Sequence, residues 1–303
     1  MDPRLQLRVQ RYGWDRAAAH YEAGWARQLR PSQDRLLEMA ALKPGESVLE
    51  LACGTGLVTF PAAEAVGPQG RVTATDISDV MVEGVREEAA RRGLDHVTVE
   101  RADAATLPYD DASFDCVLCS LGLMYVPDVP PVLEGAFRVL RPGGRLVVSV
   151  WGERKHCGWA EIFPIVDSRV NTEVCPLFFQ LGTGGSLEMG MEEVGFQKVE
   201  ADRLDVVLEY DSDDEALGAA FLGGPVAMAV SRFDEETARE AHQEYLASIA
   251  PFRVGGGAGN GNEGAVDGRE GVGAEGDGNA GSAEGTGAYR IPGRFVVARG
   301  VRP

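Results

Sequence analysis

Between residues 47 and 151 five short apolar runs alternate with amphipathic segments, and this alternation restricts the fold more tightly than any other feature of the chain. SVLELA (47–52), RVTATDIS (71–78), VTVERAD (97–103), FDCVLCSLGL (114–123) and RLVVSVW (145–151) have the length and content of buried strands. The intervening VTFPAAEAVG, DVMVEGVREEAARRG and VPPVLEGAFRVLRPGG read as helices, the last starting on prolines and stopping at Gly143 and Gly144. Such alternation requires right-handed crossovers and a parallel sheet covered on both faces, an α/β doubly wound architecture. In sheets of this kind a ligand sits beyond the carboxyl ends of the strands, near the point where strand order reverses.

The flanks are less regular. Residues 1–42 read as two amphipathic helices broken at Pro31. After Trp151, HCGWAEIFPIVDSRVN reads as a helix, CPLFFQLGTGG as a loop and SLEMGMEEVG as a short helix. A long alternating strand follows, FQKVEADRLDVVLEY (196–210), and then two helices, DDEALGAAFL and DEETAREAHQEYLASI. Residues 255–287 hold 14 glycines and six acidic residues against one arginine, with no aromatic. Such a tract buries too little apolar surface to offset its chain entropy, so a disordered surface loop is expected. RFVVARG (294–300) then returns as a strand that should pair with 196–210. The organisation expected is an N-terminal helical cap (1–42), a core (43–210 and 290–303), a helical cap insertion (211–254) and the low-complexity loop (255–287).

Charge and cysteine usage narrow the function. With 47 acidic against 29 basic residues the net charge is -18, which repels a phosphate backbone or an anionic membrane surface, so neither nucleic acid nor membrane is expected as a partner. The N-terminal segment lacks a signal-peptide pattern and no later run has the length of a membrane span, so a cytoplasmic protein is expected. Five cysteines in such a chain read as reduced thiols; Cys116 and Cys119 form a C-x-x-C inside a strand, where alternation turns them to opposite faces. His20, His96, His156 and His242 are scattered without metal-ligand spacing, and no metal is expected.

LELACGTGLVTF (49–60) raises the question of what its glycine turn holds. A Walker-type phosphate loop needs lysine after the last glycine, and Leu57 stands there. A dinucleotide fold wants a third glycine where Thr59 stands, and Glu50 adds negative charge where phosphates would lie. A phosphate-free, cationic ligand with ribose and adenine, S-adenosylmethionine, meets neither objection. Asp76 ends the second strand 20 residues past Gly56, where a carboxylate takes ribose hydroxyls; Asp103 and Ala104 end the third, within reach of an adenine amino group; Ser120 ends the fourth.

The set VLELACGTG (48–56), TATDIS (73–78), RADAATLPYDDASFDCV (101–117), SLGLMYVPD (120–128) and LRPGGRLVVSVW (140–151) resembles the class I S-adenosylmethionine-dependent methyltransferases, in particular the ubiquinone/menaquinone-biosynthesis branch. The resemblance runs over about residues 10–210 and resumes at 294–300. It implies a Rossmann-like seven-stranded sheet of order 3-2-1-4-5-7-6, with the last strand antiparallel. It also implies that Glu50, Gly54 and Gly56 contact or admit the methionine moiety, Asp76 the ribose, Asp103 and Ala104 the adenine, and Ser120 the methionine end. Ile77 would pack on adenine, and Tyr21 resembles a family tyrosine that closes over the cofactor. Two departures stand out: Ala52 replaces the first glycine of the pattern, which requires an ordinary negative φ there, and Met124-Tyr125 replace histidines often seen after the fourth strand.

Methyl transfer from a sulfonium is an in-line displacement with an activated leaving group, so holding nucleophile, methyl and sulfur collinear in a dry pocket supplies most of the catalysis. His156, Trp159, Tyr125 and His20 are the candidates near the expected mouth, with His156 and Tyr125 the catalytic candidates. The expectation is a methyltransferase acting on a small, largely apolar metabolite at O, N or C. A non-catalytic S-adenosylmethionine-binding regulatory module and an NAD-dependent oxidoreductase remain as alternatives.

Overall fold

A computed structural model of the chain describes residues 3–170, 178–254 and 287–303, the first three as backbone alone. The strands are β1 (Ser47–Leu51), β2 (Arg71–Asp76), β3 (Val97–Arg101), β4 (Phe114–Ser120), β5 (Leu140–Trp151), β6 (Gln197–Tyr210) and β7 (Tyr289–Val301). The helices are α1 (Pro3–Ala40), α2 (Thr59–Val66), α3 (Asp79–Arg91), α4 (Val129–Val139), α5 (Ile162–Asp167), α6 (Ser186–Val194), α7 (Asp213–Leu217), α8 (Ala227–Val230) and α9 (Glu235–Ile249). The strands form one sheet in the order β3-β2-β1-β4-β5-β7-β6. The pairs from β3 to β5 are parallel, and β7 runs antiparallel to both neighbours. This is the doubly wound seven-stranded sheet expected, including the pairing of the C-terminal strand with 197–210.

The central strands are buried on both faces, which is why they read as near-continuous apolar runs. Alternation along β4 divides the core. Cys116 and Leu118 pack with Val48 against α2 and the C-terminal end of α1, whereas Val117 and Cys119 pack with Leu49 and Leu51 toward α4. The two cysteines thus lie on opposite faces, as the pattern requires.

Three expectations need correction. Pro31 does not break the N-terminal segment; α1 is a single helix of 38 residues. The helix is clamped to β6 on both sides of the proline: Gln28 exchanges two hydrogen bonds with the backbone of Glu209, and Arg35 donates to Asp202 at 2.7 Å. Tertiary contacts therefore hold a helix that propensity alone would interrupt. Second, Gly143 and Gly144 do not stop α4, which ends at Val139; LRPGG joins the ladder through an irregular register between Phe114 and Cys116, so β5 begins five residues early. Third, among the described residues 156–170 only 162–167 are α-helical, because Gly158 is tied to the Pro292 carbonyl at 2.9 Å and the chain must turn to bury Trp159. The low-complexity tract, apart from Gly287, lies outside the described residues, as does Cys175. Among the described residues no helix is long and apolar enough to cross a membrane.

Candidate functional site

At the carboxyl ends of β1 to β4 a cleft of about 770 Å³ opens beneath α1. The order of strands reverses between β1 and β4, whose connections run to opposite sides of the sheet, and this splays the loops apart there. Ala52, Asp76, Ile77, Asp103, Ala104 and Ser120 line it from the strand ends, and Tyr21 and Tyr125 from above. A narrower recess at its inner end is bordered by Glu50, Thr55 and Gln33, with Tyr21, Ala52 and Ser120 common to both.

Glu50 is only 1% exposed and accepts a hydrogen bond of 2.5 Å from the Thr59 hydroxyl. Burial pushes its carboxyl up to about 8; the Thr59 bond opposes this and the nearby Asp76 charge adds to it. Asp76 accepts from the backbone N–H of Gly54 and of Ser78, both at 2.9 Å, and burial still raises it above the usual carboxylate range. Ile77 N–H also acts on it, which leaves at least one of the four lone-pair sites of the carboxylate for a further donor. Ser78 caps α3 through Met81 N–H and donates to Asp15 at 2.6 Å, which fastens α1 to the rim of the cleft. Asp103 accepts from Ala105 N–H at 2.9 Å. Ser120 lies 3.3 Å from the Ser149 hydroxyl on the neighbouring strand.

Ala52 corrects the sequence reading: its φ is +54°, not negative. The chain leaves β1 through the left-handed region at Ala52, Gly54 (φ +55°) and Gly56 (φ +91°), and the alanine takes the first of these positions at a cost of about 1 kcal/mol. Gly122 makes room for it, since a Cβ there would fall 2.4 Å from the Ala52 methyl.

Tyr21 is held as a neutral phenol, raised first by burial and then by the charge of Asp76. Trp14 meets its ring edge-on at 5.8 Å and that of Tyr125 at 5.0 Å, so three aromatics wall one side. Behind them lies a second, tight recess bordered by Trp25, Trp151, Trp159 and Phe178 and by the Gly223-Gly224-Pro225 turn.

The structure brings the strand-end residues, Tyr21 and Tyr125 together, but not the histidines. His156 lies outside both cavities, on a single turn near Glu153 and Asp205. The short turn after β5 leaves it near Asp205 of β6 and out of the cleft lining. His20 is exposed on α1, and His96 bonds the Ala63 carbonyl at 3.0 Å, a structural contact. Cys53 is buried, and its thiol is pushed well up by burial, which suits packing rather than attack. Among the described residues no group of three or more His, Cys, Asp or Glu could hold a metal ion.

Sequence reasoning passed over Trp14, Gln33, Thr55 and Gly122. Thr55 sat in view between two glycines, and its hydroxyl is buried without a partner. The other three owe their place to the long-range docking of α1 and to the contact with Ala52, which no local pattern signals.

Residues 42–162 match a family described as a methyltransferase domain. The chain is 42% identical over 133 residues to nocamycin O-methyltransferase of Saccharothrix syringae, covering 44% of this chain and 48% of that one. It is 35% identical over 127 residues to demethylmenaquinone methyltransferase of Listeria monocytogenes, covering 42% and 54%. The chain thus spans about half the length of the curated relatives it matches. Among solved structures, a putative methyltransferase of Bacillus halodurans superposes with a TM-score of 0.57 at 17% identity, covering 90% of this chain and 99% of that one, a likeness of fold.

Proposed function

We propose that this chain, which carries a class I methyltransferase domain related to the ubiquinone/menaquinone-biosynthesis enzymes, transfers a methyl group from S-adenosylmethionine to a small, largely apolar metabolite at O, N or C. The observation that carries this reading is the joint presence, on one cleft, of four consecutive strand ends bearing Glu50, Asp76, Asp103 and Ser120, with an aromatic recess adjoining it.

The residues present suit the cofactor. Asp76 has acceptor capacity left for ribose hydroxyls, Asp103 and Ala104 would meet the adenine, and Ile77 would pack on its face. Glu50 offers a counter-charge to the methionine ammonium, and the unpaired Thr55 hydroxyl a donor to its carboxylate. When bound, S-adenosylmethionine supplies a methyl on a sulfonium whose leaving group is already activated. The chain's own contribution is then positional: Trp14, Tyr21 and Tyr125 exclude water and orient the acceptor, while Tyr21, held as a neutral phenol, keeps its proton and can donate a hydrogen bond but not serve as a base. Tyr125 remains the catalytic candidate, and His156 takes no part.

In the same reading 1–42 and 211–254 cap a core of 43–210 and 290–303, and the protein acts in the cytoplasm without nucleic acid or membrane. Calorimetric titration with S-adenosylhomocysteine and, separately, with NAD tests the cofactor. Binding of the first alone is expected; binding of NAD alone would replace this reading by a dehydrogenase.

A further inference from the structure

Tyr21 borders three spaces at once: the main cleft, the narrow inner recess with Glu50 and Gln33, and the aromatic recess behind. In the methyl-transfer reading Asp76 holds the ribose in the cleft, and the amino-acid end of the cofactor lies by Glu50. The sulfur connects the two, so its place is where these spaces meet, beside Tyr21. Trp14 and Tyr125 line the cleft and the aromatic recess at the same junction.

The rings stand nearly perpendicular where they touch. Trp14 meets Tyr21 at 81° with centroids 5.8 Å apart, and Tyr125 at 81° and 5.0 Å. The corner of such a T is bounded by the face of one ring and the free part of the other's face, so a guest seated in it lies against ring faces. Those faces carry the negative part of the aromatic quadrupole and attract a cation within about 6 Å of the centroid. Among the described residues no lysine, arginine or histidine lines any of the three spaces. In the same reading the nearby carboxylates are engaged elsewhere, Glu50 with the ammonium and Asp76 with the ribose. The sulfonium charge is left to the rings.

Resting on the methyl-transfer reading above, we infer that Trp14, Tyr21 and Tyr125 form an aromatic corner that binds the sulfonium, and that this corner biases the site toward the charged donor over its product. In the transfer a lone pair of the acceptor forms the new bond to the methyl carbon, the carbon–sulfur pair stays on sulfur, and the sulfonium charge disappears. The attraction to the rings goes with it, whereas the contacts to ribose, adenine and the amino-acid end persist. The product thus lacks one attraction that the donor had, which favours its exchange for fresh donor.

Dissociation constants for S-adenosylmethionine and S-adenosylhomocysteine are measured by calorimetry on the full chain, in the wild type, Trp14→Leu and Trp14→Phe. Trp14→Leu should weaken S-adenosylmethionine binding by about 2- to 30-fold, the span of a cation–π contact from an exposed to a desolvated site, and leave S-adenosylhomocysteine within about twofold. Trp14→Phe keeps a ring face and should recover part of the loss. Equal losses for the two ligands, or none, would leave rings that only pack around the cofactor and overturn the inference. If Trp14→Leu does not fold, the wild-type chain is made with mono-, di- and trifluorinated tryptophan at its four tryptophans, which drains charge from the ring faces stepwise. The ratio of the two affinities should then shift toward the product with each added fluorine, and a constant ratio overturns the inference. The two failures are distinct: absence of binding of both ligands to the wild type refutes the methyl-transfer reading, whereas intact binding with an unchanged ratio refutes the aromatic corner alone.

Discussion

At pH 7 the Glu50 carboxyl, pushed up to about 8 by burial, carries its proton in about nine molecules of ten when no cation faces it. A ligand that brings an ammonium and a sulfonium into the adjoining recess favours the ionised form, so binding should expel that proton. If the bound carboxyl returns toward its ordinary value of 4.5, nearly one proton leaves per cofactor bound at pH 7. Affinity for S-adenosylmethionine then rises by up to about tenfold per pH unit between roughly 4.5 and 8, and levels off above 8. Calorimetry in buffers of different ionisation enthalpy counts the released protons directly. Glu50→Gln should abolish the release and flatten the profile. It should also weaken binding at pH 8 by about 10- to 100-fold, the worth of a charge-assisted contact. Stability shows the opposite sign. The folded state keeps a proton that the unfolded chain gives up above about 4.5, so through this group the ligand-free protein loses up to about 1.4 kcal/mol per unit as pH rises toward 8. Proton release near zero in the wild type, or the same release in Glu50→Gln, would refute the reasoning.

Other perturbations have equally definite outcomes. Gly122→Ala sets two methyls 2.4 Å apart and should destabilise by about 1–3 kcal/mol; Ala52→Gly alone should be neutral to stabilising by up to about 1 kcal/mol, and the double variant should recover most of the loss in urea melts. Arg145, 8% exposed, pairs with Glu46 at 2.7 and 3.0 Å and bonds the Ala40 carbonyl, so Arg145→Met should cost about 3–5 kcal/mol by the same measurement. Asp76→Asn should weaken S-adenosylhomocysteine binding by about 10-fold or more in calorimetry, since a carboxylate is a stronger acceptor for ribose hydroxyls than an amide. His156→Ala should leave turnover within about twofold, because the imidazole lines neither the cleft nor the recess beside it.

The sheet and the strand-end residues were legible because both depend on local signals: apolar runs of strand length, helical periodicity between them, and turn residues where strands end. Asp76, Asp103 and Ser120 follow from counting along the chain. The features that escaped are those set by distant contacts. Pro31 looks like a break until β6 is seen to grip Gln28 and Arg35 on either side of it. Ala52 reads as an ordinary residue because the demand for a positive φ comes from the path between β1 and α2, and the space for its methyl from Gly122, 70 positions away. His156 follows β5 in sequence, yet a single turn carries it off the cleft. Trp159 is visible as an aromatic near the mouth, but its burial among Trp25, Trp151 and Phe178 needs distant parts of the chain brought together.

Methyl transfer itself is measured by incubating the full chain with methyl-labelled S-adenosylmethionine and a fraction of small, apolar metabolites. Label should move to one small acceptor, with one S-adenosylhomocysteine formed per methyl transferred. Binding of S-adenosylhomocysteine with no label on any acceptor would contradict the account and leave a cofactor-binding module in its place.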